Sequence, residues 1–138
     1  MSRLDSVLYT AKVHTTGGRT GTSRSSDGHL NVKLTIPGTK GTGTNPEQLF
    51  AAGWSACFES AMETAARRMK LAYPADAAVD AEVDLGPSDG TYGLVARLNV
   101  SLPGMERAAA EQLVAAAHRL CPYSRATHGN IDLATTVV

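Results

Sequence analysis

Apolar and polar positions alternate in several stretches of the chain, which is the period of a strand with one buried face. Val7, Tyr9, Ala11 and Val13 mark the first. Leu30, Val32, Leu34 and Ile36, interleaved with Asn31, Lys33 and Thr35, mark the clearest, and Pro37-Gly38 closes it. The period then changes. Asn45-Pro46-Glu47 combines a capping side chain, a proline suited to the first helical position and an acid in the first turn. From there to about Lys70, Phe50, Trp54, Phe58 and Met62 recur every fourth residue, so a long helix with one apolar stripe is expected. Strand periodicity returns at Val79, Ala81, Val83 and Leu85, and again from Tyr92 to Leu102, with a hairpin turn expected from Pro87 to Gly90. Glu106 to Leu120 reads as a second helix with Ala109, Leu113, Ala116, Ala117 and Leu120 inward, stopped by Pro122. Ile131, Leu133, Thr135 and Val137 make a last strand. The order β-β-β-α-β-β-α-β implies an α+β fold, not a doubly wound one, and residues 1–138 are expected to form a single domain.

Composition sharpens this picture. A chain of 138 residues can bury roughly two thirds of its unfolded surface without metals or disulfide staples. Aromatics are only 5%, so the core must rest on Ala, Val and Leu. Thirteen Lys and Arg balance thirteen Asp and Glu, which argues against a nucleic-acid partner. No run approaches the roughly 20 apolar residues of a membrane span, and MSRLDSVLYTAKV lacks the apolar stretch of a secretory signal. A soluble, cytoplasmic protein is expected.

The only cysteines are Cys57 and Cys121, which do not form a CxxC pair. In a reducing cytosol a disulfide between them would be transient and catalytic; the alternative is two buried thiols acting as small apolar residues. Cys57 falls within the long helix beside Trp54 and Phe58, where burial disfavours a thiolate unless a cation compensates. Cys121 falls at a helix C-terminus, where the dipole also disfavours a thiolate. If the pair is redox-active, Cys57 is therefore the attacker and Cys121 the resolving partner.

Arg19, in GGRTG, is presented on a mobile loop, either as that cation or as a solvated side chain. Glu47 serves as a helix-start acid or as a site residue. A straight helix separates it from Cys57 by about 15 Å, so a site role requires a break near Ala51-Ala52-Gly53, a bend, or another subunit. Two rival constellations use histidines. One is a Cys2His2 metal site from Cys57, His118, Cys121 and His128; the other is a Cys57–His118–Glu47 hydrolase triad. Neither has the paired close ligands or the marked oxyanion hole it needs, and both histidines read more simply as structural.

Three segments carry a resemblance: LYTAKVHTTGGRTG at 8–21, TNPEQLFAAGWSACF at 44–58 and CPYSRATHGNID at 121–132. On them the chain resembles the organic hydroperoxide resistance (Ohr) family, within the superfamily of osmotically inducible protein C (OsmC). The resemblance implies antiparallel-rich sheets wrapped around long central helices in an intertwined homodimer with its sites at the subunit interface. It implies a thiol peroxidase acting on organic hydroperoxides, including fatty-acid ones. Its attacking cysteine falls on Cys57, its resolving cysteine on Cys121, its thiolate-stabilising arginine on Arg19 and the paired glutamate on Glu47. It implies no bound cofactor or metal, and recycling by dihydrolipoamide or a lipoylated protein. A sister OsmC-type peroxidase with another peroxide preference shares this chemistry; a non-enzymatic dimeric domain with structural cysteines is the reading from another class. Phe50, Trp54, Phe58 or Tyr123 are candidates to line the peroxide pocket. The chain departs from the family in having Trp54 where Tyr is usual, His128 where Arg is common, and a shorter loop before Asn45.

Overall fold

The computed structural model describes residues 3–138; Met1 and Ser2, which open the segment read for a secretory signal, lie outside the described residues. The chain divides into a unit ending at Pro46 and a unit running from Glu47 to Val138.

In the first unit, β1 (Val13–Thr16), β2 (Thr22–Ser25) and β3 (Asn31–Lys33) form an antiparallel sheet in that order. The strand expected from Val7 to Val13 instead starts at Val13, where the ladder to β2 begins with Val13 opposite Ser25. Alternation announces a face to be covered, but a strand also needs a neighbour to accept its backbone bonds. The strand expected from Leu30 to Ile36 shortens to β3. Leu34 bridges to Thr44, and the Thr35 amide donates to the Thr44 carbonyl at 2.9 Å, so the chain leaves the β2 ladder there.

The connection between β1 and β2 is a tight turn. Gly17 and Gly18 take φ of 76° and 56°, the left-handed region that a side chain disfavours. A Cβ on Gly21 would overlap the Thr16 carbonyl. The turn closes with amide bonds from Thr20 to Gly17 O at 3.2 Å and from Gly21 to Gly18 O at 3.3 Å.

The second unit holds α1 (Pro46–Arg68), β4 (Ala78–Ser88), β5 (Thr91–Ser101), α2 (Arg107–Leu120), α3 (Pro122–Thr127) and β6 (Asp132–Val137). The α+β reading and the element order hold, with α3 added after α2. The hairpin turns at Asp89-Gly90, with φ of 49° and 78°, the pair that matches the twist of its strands. The middle strand, β5, pairs antiparallel with β4 and parallel with β6, so Leu98 faces Ala81 on one side and Thr135 on the other. Parallel pairing needs a crossover, which α2 and α3 supply.

Ala96, Leu98 and Val100 of β5 meet Trp54, Phe58, Met62 and Ala66 of α1 in one core, as the fourfold stripe predicts. The buried side of α2 is turned slightly from the expected one. Ala110, Leu113, Val114 and Ala117 are buried, whereas Ala109, Ala116 and Leu120 are only partly so. This stripe runs on through 110, 114 and 117 to Cys121, which explains why that thiol is fully buried. Pro122 does not simply end the helical region. It occupies the first position of α3, with Cys121 as the cap whose sulfur accepts the Ser124 amide. Among the described residues no helix is long and apolar enough to cross a membrane.

Candidate active site

Cys57 and Cys121 come from different helices and meet. Cys57 sits mid-way along α1, half-buried; Cys121 joins α2 to α3 and is fully buried. Their sulfurs lie 3.3 Å apart as hydrogen-bonded free thiols. A disulfide needs about 2.0 Å, so only a small closing movement separates the two states.

Burial pushes the Cys57 thiol pKa up, and the facing Cys121 sulfur adds to that, while the Tyr123 amide directed at Cys57 opposes it. The net direction is upward, so the expectation that this thiol needs a cation stands on the geometry as well.

Aromatic side chains border the pair. A Cβ on Gly53 would lie 2.6 Å from the Tyr123 hydroxyl, so glycine leaves the space that this ring occupies, one turn before Cys57. Phe50 packs edge-on against both Trp54 and Tyr123, with centroids 5.5 and 6.3 Å apart. Trp54 and Phe58 are fully buried and belong to the core, whereas Phe50, two turns before Cys57, and Tyr123, two residues after Cys121, retain exposed surface.

Arg19 lies in the middle of the glycine turn of the first unit and is exposed. The loop expected to be mobile is a closed, hydrogen-bonded turn. Glu47 lies in the first turn of α1. That helix runs unbroken through Ala51-Ala52-Gly53, so the break that would let Glu47 approach its own Cys57 is absent. The helical rise keeps the two about 15 Å apart.

The histidine alternatives do not assemble. His118 Nδ1 lies 2.9 Å from Ser124 Oγ and its Nε2 lies 2.9 Å from Thr135 Oγ1, so both ring nitrogens are engaged away from Cys57. Among the described residues no group of three metal-ligating side chains gathers. A cavity of about 700 Å³ opens beyond His118, and neither cysteine lines it. Sequence reasoning did not single out Ser124, the hydroxyl partner of His118, and read His118 as structural. The available signal was Thr135, a polar residue on the inward face of an otherwise apolar last strand.

The sequence profile of the family described as OsmC-like protein matches residues 37–136. The organic hydroperoxide resistance protein of Xanthomonas axonopodis pv. citri is 47% identical, covering 99% of each chain. This chain belongs to the organic hydroperoxide resistance family of OsmC-like proteins. Solved structures of the family agree with the fold. The crystal structure of OhrB of Bacillus subtilis superposes with a TM-score of 0.91 at 40% identity, covering 96% of this chain and 100% of that one. An organic hydroperoxide resistance protein from Elizabethkingia anophelis, with thiocyanate bound, gives a TM-score of 0.88 at 39% identity, covering 95% and 96%. The α+β architecture read from the periodicity is thus that of the family.

Proposed function

We propose that this family member is a thiol peroxidase that reduces organic hydroperoxides to alcohols. The observation that carries the reading is the pair of free thiols 3.3 Å apart beside partly exposed aromatic rings. The Cys57 thiolate attacks the outer peroxide oxygen; the O–O bond breaks, the alcohol leaves and Cys57 becomes a sulfenic acid. Cys121 condenses with it to a disulfide, and a dihydrolipoyl group on a small molecule or a lipoylated protein reduces that disulfide. No bound cofactor or metal takes part. The apolar border supplied by Phe50 and Tyr123 favours an alkyl over a hydrogen peroxide.

Arg19 is the compensating cation, and Glu47 holds its guanidinium flat. The unbroken α1 supports a specific arrangement. Glu47 stands about 15 Å from Cys57 on the same helix, so the arginine–glutamate pair of one copy serves the thiols of a second copy. The first unit supports such a homodimer. Among its described residues only Ser23 and Leu34 are buried, while Leu8 is 97% and Tyr9 76% exposed, an apolar strip in want of a cover. A segment that buries so little does not fold alone, and residues 1–138 act as one domain. Two free thiols fit a reducing, cytoplasmic setting.

The test is peroxide consumption by the purified protein, comparing cumene hydroperoxide with hydrogen peroxide and dihydrolipoamide with thioredoxin. Rapid turnover with the organic peroxide and the lipoyl dithiol, abolished by Cys57→Ser, is the expected result. Both thiols remaining free after peroxide treatment would instead leave a non-enzymatic dimeric domain.

A further inference from the structure

A polar cluster lies behind the sulfur pair and has no part in the chemistry above. Its hub is Ser124, which is buried. The Trp54 indole N–H donates to Ser124 Oγ at 3.1 Å, and His118 Nδ1 lies 2.9 Å from the same oxygen. The Ser124 amide donates to Cys121 Sγ at 3.5 Å, and His118 Nε2 reaches Thr135 Oγ1 of β6 at 2.9 Å.

Donors and acceptors order this cluster. The indole only donates, so Ser124 Oγ accepts from it, and we assign the serine's own hydrogen to His118 Nδ1, the acceptor of the Nε2–H tautomer. The neutral ring then keeps its proton on Nε2 and donates to Thr135, an assignment made from the network. Burial pushes the His118 pKa down, which favours this neutral ring. The Phe58 ring packs against the imidazole with centroids 4.5 Å apart, restricting its tilt.

The positions matter as much as the bonds. Trp54 is one helical turn before Cys57, His118 one turn before Cys121, and Ser124 three residues after it. Both cysteine-bearing segments are therefore tied to one hydroxyl. Cys121 itself lies between two helices in an extended conformation, with φ of −68° and ψ of 118°. Its amide donates to Ala117 O at 2.8 Å and its carbonyl accepts from the Arg125 amide at 3.0 Å, while its sulfur is held by the Ser124 amide.

We propose that His118 and Ser124 are positioning residues for the disulfide-forming step, holding Cys121 within reach of Cys57 while the latter is a sulfenic acid. This rests on the reading that Cys57 attacks and Cys121 resolves. In that step the Cys121 thiol loses its proton, its sulfur forms the S–S bond, and the Cys57 S–O bond breaks to release water; no outside reductant is consumed. Neither positioning residue hydrogen-bonds to Cys57, whose side-chain partner is Cys121, so the first oxidation is expected not to depend on them. A resolving sulfur displaced by about 1 Å slows its reaction by up to about a hundredfold. The sulfenic acid then survives to meet a second peroxide and becomes sulfinic acid.

The experiment compares the wild-type protein with His118→Ala, His118→Asn, His118→Gln and Ser124→Ala. Each reduced protein is mixed with cumene hydroperoxide, quenched with an alkylating agent at timed intervals and weighed by mass spectrometry. The expected result for His118→Ala and Ser124→Ala is first oxidation at the wild-type rate, disulfide formation slowed about tenfold or more, and accumulation of Cys57 sulfinic acid. Asparagine places its side-chain oxygen near the former Nδ1 and restores the rate. Glutamine reaches the Nε2 position and does not. Disulfide formation at the wild-type rate in both alanine variants overturns the proposal. So does equal slowing of both oxidation steps, which is the mark of a general structural defect. A wild-type protein that never forms the disulfide overturns the underlying thiol-peroxidase reading, a separate and recognisable failure.

Discussion

Residues 47–138 bury a continuous core from Trp54 to Cys121, whereas the described residues of the first unit bury only Ser23 and Leu34. The second unit leaves both thiols held by packed helices and a buried polar cluster. The first presents Arg19 on a short glycine turn and leaves Leu4, Val7, Leu8, Tyr9, Val13 and Ile36 at the surface. Sulfur geometry is thus prepared within one fold, where burial is available to fix it. Arg19, proposed above as the compensating cation, belongs to a unit whose apolar surface calls for a cover, so the proposal ties a usable thiolate to the proposed pairing of two copies.

The comparison can be broken at its strong end first. Leu98 is 1% exposed at the centre of β5, so Leu98→Ala is expected to remove about 2–5 kcal/mol of stability in chemical denaturation. A loss well under about 1 kcal/mol would mean that the second unit's core does not dominate its folding. At the weak end, replacing Leu8 and Tyr9 together by glutamate is expected to raise the dissociation constant of the proposed dimer about tenfold or more, read by sedimentation, with helix content unchanged. A dimer untouched by that pair would place its contacts elsewhere.

Arg19→Ala tests the role proposed for the arginine. Removing a cation disfavours the thiolate, so the pH at which Cys57 alkylates should move upward. Reactivity near neutral pH should fall about tenfold for each whole pH step that the profile moves. An unchanged pH profile would take the arginine out of its assigned role. The smallest effect concerns an imperfection in the second unit. The Tyr73 hydroxyl is buried with no hydrogen-bond partner, and burial, then Glu59 and Glu63, push its pKa up to about 12. Tyr73→Phe is expected to stabilise by up to about 1 kcal/mol, since it deletes an unsatisfied group; a clear loss in thermal melting would show that the hydroxyl is paired in solution.

Much of this protein is legible in the residue order. Periodicity of four and of two, the Asn-Pro-Glu start and the Pro87–Gly90 turn set the long helix, the hairpin and the α+β order, because those signals act over a few residues. The same local chemistry marked Cys57 as a buried thiol in need of a cation. Only the tertiary structure decided the rest. It set the 3.3 Å between two sulfurs carried by different helices, and the rotation of α2 that draws Cys121 into the core. It also made Cys121 the cap of a further helix and gathered Trp54, His118, Ser124 and Thr135 on one hydroxyl. These are contacts between segments distant in the chain, fixed by the packing of side chains that no local pattern places together. The strand from Val7 failed for the complementary reason: alternation is a property of a segment, but a strand exists only where a second segment receives its hydrogen bonds.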